Sequence, residues 1–197
     1  MRDILVLYYS SNGATEALAR EVCRGVDSVE GMSARLRTVP SVSNVNEATK
    51  AVIPPSGPTY VNIKDLAECS GIILGSPTRF GNMSASLKYF IDSTSTDWIK
   101  GTLSGKPAGV FTLTSSLHGG SESTLLTMAL PLLHHGMFYV GVPYSEKALS
   151  STRTGGSPYG ASHVTWSKNP DSLSDDEKTI AFALGKRVSE VALKLEA

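Results

Sequence analysis

The sequence predicts an α/β fold built on a doubly wound parallel sheet, and three observations support this. Four short, nearly continuous apolar runs are typical of strands that are buried on both faces. Segments with helical spacing separate these runs, and an alternation of strands and helices favours a parallel sheet covered on both sides. The chain has 197 residues and is 41% apolar, which suits one ordinary core, so we expect a single domain over residues 1–197.

Five strands are predicted from these patterns. The first covers residues 4–9, and the second, at 33–39, alternates polar and apolar residues as an outer strand does. The other three are the apolar runs at 71–76, 107–114 and 137–142. Five strands separated by helices suit the flavodoxin-like strand order 2-1-3-4-5.

Helices are predicted at residues 15–27, 84–92 and 122–135, and over the closing segment of the chain. Pro131 should kink or split the third of them, and Gly136 is well placed as its C-terminal cap. Ser174 and Glu177 have the spacing of a capping box, which predicts the start of the closing helix.

Two longer segments interrupt this alternation. Residues 40–62 contain four prolines and show no clear period, and residues 143–172 are rich in Gly, Ser and Pro. Both are longer than simple connections in a compact domain, so we predict two surface insertions.

Charge and cysteine content narrow the class of protein. The chain has 18 basic and 18 acidic residues, and a net charge of zero argues against a general nucleic-acid binder. No segment is long enough to span a bilayer, and the N-terminus lacks the pattern of a signal peptide. Cys23 and Cys69 are too few for a disulfide framework. Cys23 is expected in the core and Cys69 to be semi-buried, and a redox role is the alternative. The expected location is the cytoplasm.

The loop after the first strand carries the first functional signal. In a doubly wound sheet, a ligand binds beyond the carboxyl ends of the strands, where the strand order reverses. This loop is Ser10-Ser11-Asn12-Gly13-Ala14-Thr15, and a helix follows it. Small residues let the backbone approach an anion at the helix N-terminus, and Gly13 permits the turn. The loop contains neither Lys nor a GxGxxG motif, so a monophosphate held by neutral donors fits best. An ordinary capped turn is the alternative.

Two further loops lie at the same predicted edge. In "GSPTRFGNMS", residues 75–84, Pro77 is followed by a bend that can offer backbone groups to a flat heterocycle. A surface turn with an extended Arg79 is the alternative. The loop "TSSLHGGSES", residues 114–123, is again rich in Ser and Gly and again precedes a helix. Three such loops at one edge indicate a planar, phosphate-bearing ligand more strongly than any one of them.

Five segments together resemble the WrbA family of flavodoxin-like, FMN-binding NAD(P)H:quinone oxidoreductases. They are "LVLYYSSNGAT", "GSPTRFGNMS", "HGGSE", "HHGM" and "GGSPYGA", and the resemblance extends from Ile4 to the final helix. It implies FMN as the cofactor, NADH or NADPH and quinones as substrates, and a homo-oligomer, specifically a tetramer with dihedral symmetry. Neither a nucleic-acid partner nor a metal ion is expected, because the chain is neutral and no metal-ligand cluster stands out in the sequence.

The resemblance also assigns residues. It implies that Ser10, Ser11, Asn12, Gly13, Ala14 and Thr15 bind the FMN phosphate. The other implied FMN-binding residues are Pro77, Thr78, Arg79, Phe80, Gly81, Thr114, Ser115, Ser116, Gly119, Gly120 and His134. Trp98 and Asn12 are implied at the substrate pocket, Asn12 at a position where relatives can carry an aromatic residue that faces the nicotinamide. A subunit interface would also explain Trp98.

His134 is the one candidate catalytic residue. It could donate a hydrogen bond to the flavin or transfer a proton near neutral pH. The alternative is that His134 and His135 serve as cations at a helix C-terminus.

The predicted function is therefore an FMN-dependent NAD(P)H:quinone oxidoreductase that reduces quinones by two electrons in a ping-pong reaction. A cofactor that carries the chemistry also explains why no catalytic triad, metal cluster or carboxylate pair stands out. A flavodoxin-type electron carrier or a flavin-bound regulatory module remains the alternative. Electron carriers of this fold are usually acidic, whereas this chain is neutral.

Overall fold

The computed structural model describes residues 2–10, 13–42, 57–165 and 172–195. Its centre is a six-stranded sheet in the order β2-β1-β3-β4-β5, with β6 also paired to β4. The strands are β1 (Arg2–Tyr8), β2 (Met32–Thr38), β3 (Gly71–Pro77), β4 (Pro107–Thr114), β5 (Phe138–Tyr139) and β6 (Ala161–Val164). All five pairings are parallel, which confirms the predicted fold class and strand order.

Seven helices cover the described part of the chain. They are α1 (Ala14–Asp27), α2 (Ile63–Glu68), α3 (Ala85–Asp92), α4 (Ser95–Ile99), α5 (Ser121–His134), α6 (Ala148–Ser151) and α7 (Asp175–Leu195). Within these ranges no helix is both long and apolar enough to cross a membrane.

The apolar runs form strands because both of their faces are buried. Along β1, Ile4 and Val6 face a core shared with α1 and α7, whereas Leu5 and Leu7 face a second core shared with α2, α3 and α5. Successive side chains of a strand point to opposite faces, so a run without polar residues suits a sheet covered on both sides.

Two glycines bring α1 and α7 together. A β-carbon added at Gly25 would lie 1.9 Å from the carbonyl oxygen of Phe182, and one at Gly185 would lie 2.0 Å from that of Val22. Because any side chain at either position would force the backbones apart, these glycines set the spacing of the two helices against the sheet.

The last strand position differs from the prediction. Only Phe138–Tyr139 of the apolar run 137–142 form a strand, and β6 completes the edge from within the predicted insertion at 143–172. After β5, the last backbone hydrogen bond to β4 runs from Val140 N to Ala108 O (2.7 Å). Pro143 follows, and it has no N–H with which to continue the pairing. Residues 161–164 then pair with the carboxyl half of β4. The second insertion therefore contributes to the sheet and is not merely a surface loop.

Further differences concern the helices. Pro131 does not split α5, which continues to His134, and the Pro131 carbonyl accepts the His135 N–H (3.0 Å). Gly136, at φ 77°, follows the helix as predicted. Helices α2, α4 and α6 were not predicted. Most of the first insertion, residues 43–56, lies outside the described residues.

Candidate functional site

The loops after β1, β3 and β4 meet around one cleft at the carboxyl edge of the sheet. Its volume is about 230 Å³. The residues that line it are Ser10, Ala14, Thr15, Pro77, Thr78, Arg79, Leu113, Thr114, Ser115 and Thr165. We call it the carboxyl-edge cleft. Eight of these ten residues are among the predicted cofactor-binding residues, and Leu113 and Thr165 are not.

The first loop prepares the N-terminus of α1 for an anion. Gly13, at φ 94°, adopts a backbone conformation that suits glycine, and its N–H donates to Ser10 Oγ (3.0 Å). Thr15 is 1% exposed, and its hydroxyl oxygen has no hydrogen-bond partner among the described residues. A buried hydroxyl without a partner is costly unless a ligand satisfies it, so this atom fits a bound polar group. Ser11 and Asn12 lie outside the described residues.

The second loop holds Thr78 and Arg79 at the cleft. Thr78 N donates to Leu113 O (2.9 Å), and its hydroxyl lies 2.6 Å from that of Thr124. Arg79 and Asn82 exchange two backbone hydrogen bonds, which closes a tight turn. Arg79 is the one charged side chain among the cleft-lining residues that the structure describes.

Phe80 and Gly81 occupy the tip of that turn. Both have positive φ, 53° and 76°, and the Phe80 side chain is fully exposed. A non-glycine residue in this backbone region is uncommon and carries strain. Neither residue lines the cleft of its own chain. Their predicted contact with the cofactor stays a prediction.

The third loop presents Thr114 and Ser115. Thr114 Oγ1 donates to Ser116 O (2.9 Å) and lies 3.2 Å from Ser121 Oγ, at the start of α5. These bonds fold the loop back on the helix N-terminus. Ser116, Gly119 and Gly120 belong to the same loop but do not line the cleft.

Trp98 and His134 lie elsewhere. Helix α5 begins at the carboxyl edge and runs for 14 residues, a rise of roughly 20 Å, so His134 is at the opposite end of the sheet. There, Trp98 Nε1 donates to His134 O (2.7 Å). The two residues border a second cleft of about 400 Å³, which we call the α5-end cleft. Its lining is Ile91, Asp92, Thr94, Ser95, Trp98, Pro131, His134 and His135.

A single chain therefore does not bring Trp98 or His134 to the carboxyl-edge cleft. The sequence could not reveal this, because "HHGM" specifies the end of a helix but not which edge of the sheet that end reaches. Their predicted roles require a second copy of the chain.

His135 is the more buried of the two adjacent histidines. Its Nε2 lies 3.0 Å from Thr94 Oγ1, and its Nδ1 is buried without a hydrogen-bond partner in the described chain. Burial lowers the pKa of His135 below its ordinary value, although Asp97 opposes this in part. His135 therefore favours the neutral form, which argues against its predicted alternative role as a cation at the helix end.

Sequence reasoning identified Glu177 only as part of a capping box and missed its further contacts near the carboxyl-edge cleft. Glu177 is 1% exposed, and its oxygens accept hydrogen bonds from several backbone N–H groups and lie 3.0 Å from His163 Nδ1. Burial alone would raise the pKa of Glu177, but the hydrogen bonds from His163, Ser174 and Gly155 outweigh it and lower the pKa to about 2. Glu177 is thus ionised at neutral pH.

Both cysteines are unreactive thiols. Burial raises the pKa of Cys23 to about 12 and that of Cys69 to about 11, so neither forms a thiolate at neutral pH. Cys69 belongs to the second core and is more buried than predicted, whereas Cys23 is partly buried and packs against the first core.

Comparison with known proteins agrees with this geometry. The family model of the NADPH-dependent FMN reductases matches residues 3–148. An NAD(P)H dehydrogenase (quinone) from Solidesulfovibrio magneticus is 39% identical over 99% of this chain and 100% of its own length. Proteins of the same description from Geobacter sulfurreducens and Chromohalobacter salexigens are 41% and 42% identical, each over at least 98% of both chains.

Solved structures support the fold. A WrbA-like flavodoxin from Agrobacterium tumefaciens matches with a TM-score of 0.69 and 24% identity over 98% of this chain and 99% of its own. An archaeal flavodoxin matches with a TM-score of 0.63 and 17% identity over 99% of each chain. Since the family model spans most of the sequence and similar proteins match it end to end, this chain belongs to the NADPH-dependent FMN reductase family.

Proposed function

We propose that this chain is an FMN-dependent NAD(P)H:quinone oxidoreductase that reduces quinones to hydroquinones by two electrons. The observation that carries the proposal is the buried hydroxyl of Thr15, which has no hydrogen-bond partner among the described residues and lies at the start of α1 in a cleft lined mostly by small and hydroxyl-bearing residues. The full-length relatives named NAD(P)H dehydrogenase (quinone) support the reaction.

The residues of the first loop would hold the FMN phosphate. Backbone N–H groups at the start of α1, together with the hydroxyls of Ser10 and Thr15, provide neutral donors where the helix dipole favours an anion. This arrangement accommodates one terminal phosphate. FMN therefore fits better than FAD, whose pyrophosphate leads on to an adenosine.

The second and third loops would hold the flavin ring. Thr78, Arg79, Thr114 and Ser115 line the cleft from two sides and offer backbone groups, hydroxyls and one cation. When bound, FMN supplies the hydride-transfer chemistry, and the protein supplies binding and orientation. The guanidinium cation of Arg79 would stabilise negative charge at the ring.

NAD(P)H and quinone would use one face of the site in turn. The sequence has no GxGxxG loop for a separate dinucleotide. The three loops would contact the phosphate and the ring, so one face of the bound flavin would stay open to both substrates. We therefore propose ping-pong turnover, in which the oxidised nicotinamide leaves before the quinone enters.

The active form would be a homo-oligomer, and we propose a tetramer. Helix α5 exposes Leu126, Leu130 and Leu133, each more than 40% accessible, along one side, and Trp98 continues this apolar surface at the helix end. Exposed leucines at helical spacing are typical of a surface that another chain covers. A second copy would also bring Trp98 and His134 to a cofactor cleft that they cannot reach in their own chain.

We place the reaction in the cytoplasm as part of this proposal. Both cysteines are free thiols, which a reducing compartment maintains.

Steady-state kinetics with NADH and benzoquinone tests the function. After addition of FMN, the protein should oxidise NADH rapidly only when benzoquinone is present, and double-reciprocal plots at several NADH levels should be parallel. An electron carrier would bind FMN but turn over slowly with both substrates. Intersecting lines, with both substrates bound at once, would contradict the single shared face.

A further inference from the structure

The carboxyl-edge cleft has a wall that no sequence motif predicts. Thr165 follows β6 directly and lines the cleft. Its N–H donates to Thr114 O (2.8 Å), and its hydroxyl donates to the same oxygen (3.3 Å). Thr165 therefore stands beside Thr114 at the end of the parallel ladder and lines the same cleft.

In the described part of the chain, β4 is the one sheet neighbour of β6, so the backbone groups on the other side of β6 have no strand to pair with. The N–H of Val164 points away from β4 and donates to Glu177 Oε1 (3.2 Å). The same oxygen accepts the N–H of Gly155 (2.9 Å), in the segment that leads into β6. Glu177 thus takes the place of a missing neighbouring strand at the point where the chain enters the cleft.

The second oxygen of Glu177 completes the arrangement. Oε2 accepts the N–H of Ser174 (2.8 Å) and lies 3.0 Å from Nδ1 of the buried His163. His163 pairs in register with Leu113, another cleft-lining residue. One buried carboxylate therefore joins the start of α7, the segment before β6, the β6 backbone and a side chain on that strand.

A helix cap alone does not require this burial. A capping box needs only the reciprocal bonds between Ser174 and Glu177, which exposed residues commonly provide. The additional acceptor bonds go to β6 and to the segment before it. They fix the position of the residue that follows β6, which is Thr165.

We propose that Thr165 is a further FMN-contacting residue and that Glu177, through Val164 and His163, is the positioning residue that holds it at the carboxyl-edge cleft. This inference rests on the proposed function, because it assumes FMN as the occupant. Because its proton goes to Thr114 O, the Thr165 hydroxyl would accept a hydrogen bond from an N–H or hydroxyl of the cofactor, in addition to the contacts of the first and third loops.

Three variants of the full chain test the proposal, with FMN titrated into flavin-free protein and binding followed by calorimetry and flavin fluorescence. Thr165→Val keeps the shape and removes the hydroxyl, and we expect FMN binding to weaken about three- to tenfold, the usual effect of one hydrogen bond. Thr165→Ser restores the hydroxyl and should recover most of the affinity. Glu177→Gln keeps the size but cannot accept from every donor, and we expect about tenfold weaker binding.

Ser174→Ala is the matched control for Glu177→Gln. It breaks the capping box and lowers the melting temperature, yet it leaves the contacts of Glu177 with Val164, Gly155 and His163 in place. FMN affinity should therefore stay within twofold of the unmodified chain.

The outcomes separate the two proposals. If the unmodified chain does not bind FMN, the proposed function fails. If it binds FMN and Thr165→Val binds equally well, Thr165 is not a contact and the inference fails alone. If Glu177→Gln and Ser174→Ala weaken binding equally, Glu177 is only a helix cap. If Glu177→Gln does not fold, the variants Thr165→Val and Thr165→Ser still decide whether the residue after β6 contacts FMN.

Discussion

The two clefts of this protein differ in the residues that line them. The carboxyl-edge cleft is lined by small residues and hydroxyls from three loops, and its walls are held by hydrogen bonds between backbone segments. The α5-end cleft has an exposed Trp98 and borders a side of α5 on which Leu130 and Leu133 are exposed. The lining residues of the first all come from strand ends and loops at one edge of the sheet, whereas the second borders exposed apolar side chains.

This difference separates cofactor binding from turnover. If the comparison is correct, changes at the carboxyl-edge cleft should abolish FMN binding, and changes at the α5 surface should impair assembly and quinone reduction while FMN still binds.

A charge at the phosphate loop should have the largest effect. Ser10→Glu places a carboxylate where the α1 N-terminus would hold the FMN phosphate, and like charges in contact cost several kcal/mol. We expect FMN affinity to fall more than about 100-fold by calorimetry. Ser150→Glu, an exposed serine of α6, is the control and should bind FMN normally. Unchanged affinity in Ser10→Glu would show that the phosphate lies elsewhere.

A charge on the exposed side of α5 should break the oligomer. Leu130→Asp would bury an unpaired carboxylate at the proposed interface, and we expect subunit affinity to fall by about 100-fold. Light scattering of the FMN-loaded protein measures this. Leu195→Asp alters an equally exposed leucine on α7, across the sheet, and should leave the assembly intact. A protein that is monomeric before any substitution would refute the tetramer.

Acid should lower the free energy of unfolding through protonation of Glu177. The pKa of Glu177 is about 2 in the folded chain and near 4.5 when unfolded, so its ionised form stabilises the fold above pH 4.5. This contribution falls as pH drops towards 2, and about 2 kcal/mol should be lost between pH 7 and pH 3. Urea unfolding at several pH values should show a flatter dependence for Glu177→Gln than for Glu190→Gln, an exposed glutamate of the same helix. Parallel curves for the two variants would contradict the lowered pKa.

Trp98→Ala should have the smallest effect of these substitutions, and it should impair quinone reduction more than FMN binding. Loss of an aromatic wall should lower kcat/KM for benzoquinone about tenfold, while FMN affinity changes less than twofold. Ile99→Ala, at the neighbouring and more exposed position of α4, is the matched control and should retain its activity. If both variants lose equal activity, Trp98 acts through the stability of α4 and not at the substrate.

Much of the carboxyl-edge cleft could be predicted from the sequence, because its parts are local. A buried strand, a run of small residues and a helix start are adjacent in the chain, and parallel strands bring all such loops to one edge. Ser10, Thr15, Thr78 and Thr114 therefore reach the cleft as their positions in the sequence indicate. The capping box of Glu177 was visible for the same reason.

Tertiary structure alone decided the rest. Whether "ASHV" pairs with β4 depends on a strand far away in sequence, so the position of Thr165 and the second role of Glu177 had no local signal. The location of His134 depends on the length and direction of α5, which carry it to the opposite end of the sheet. Periodicity and turn residues specify local conformation, whereas the pairing of distant segments is set by the free energy of the whole packed chain.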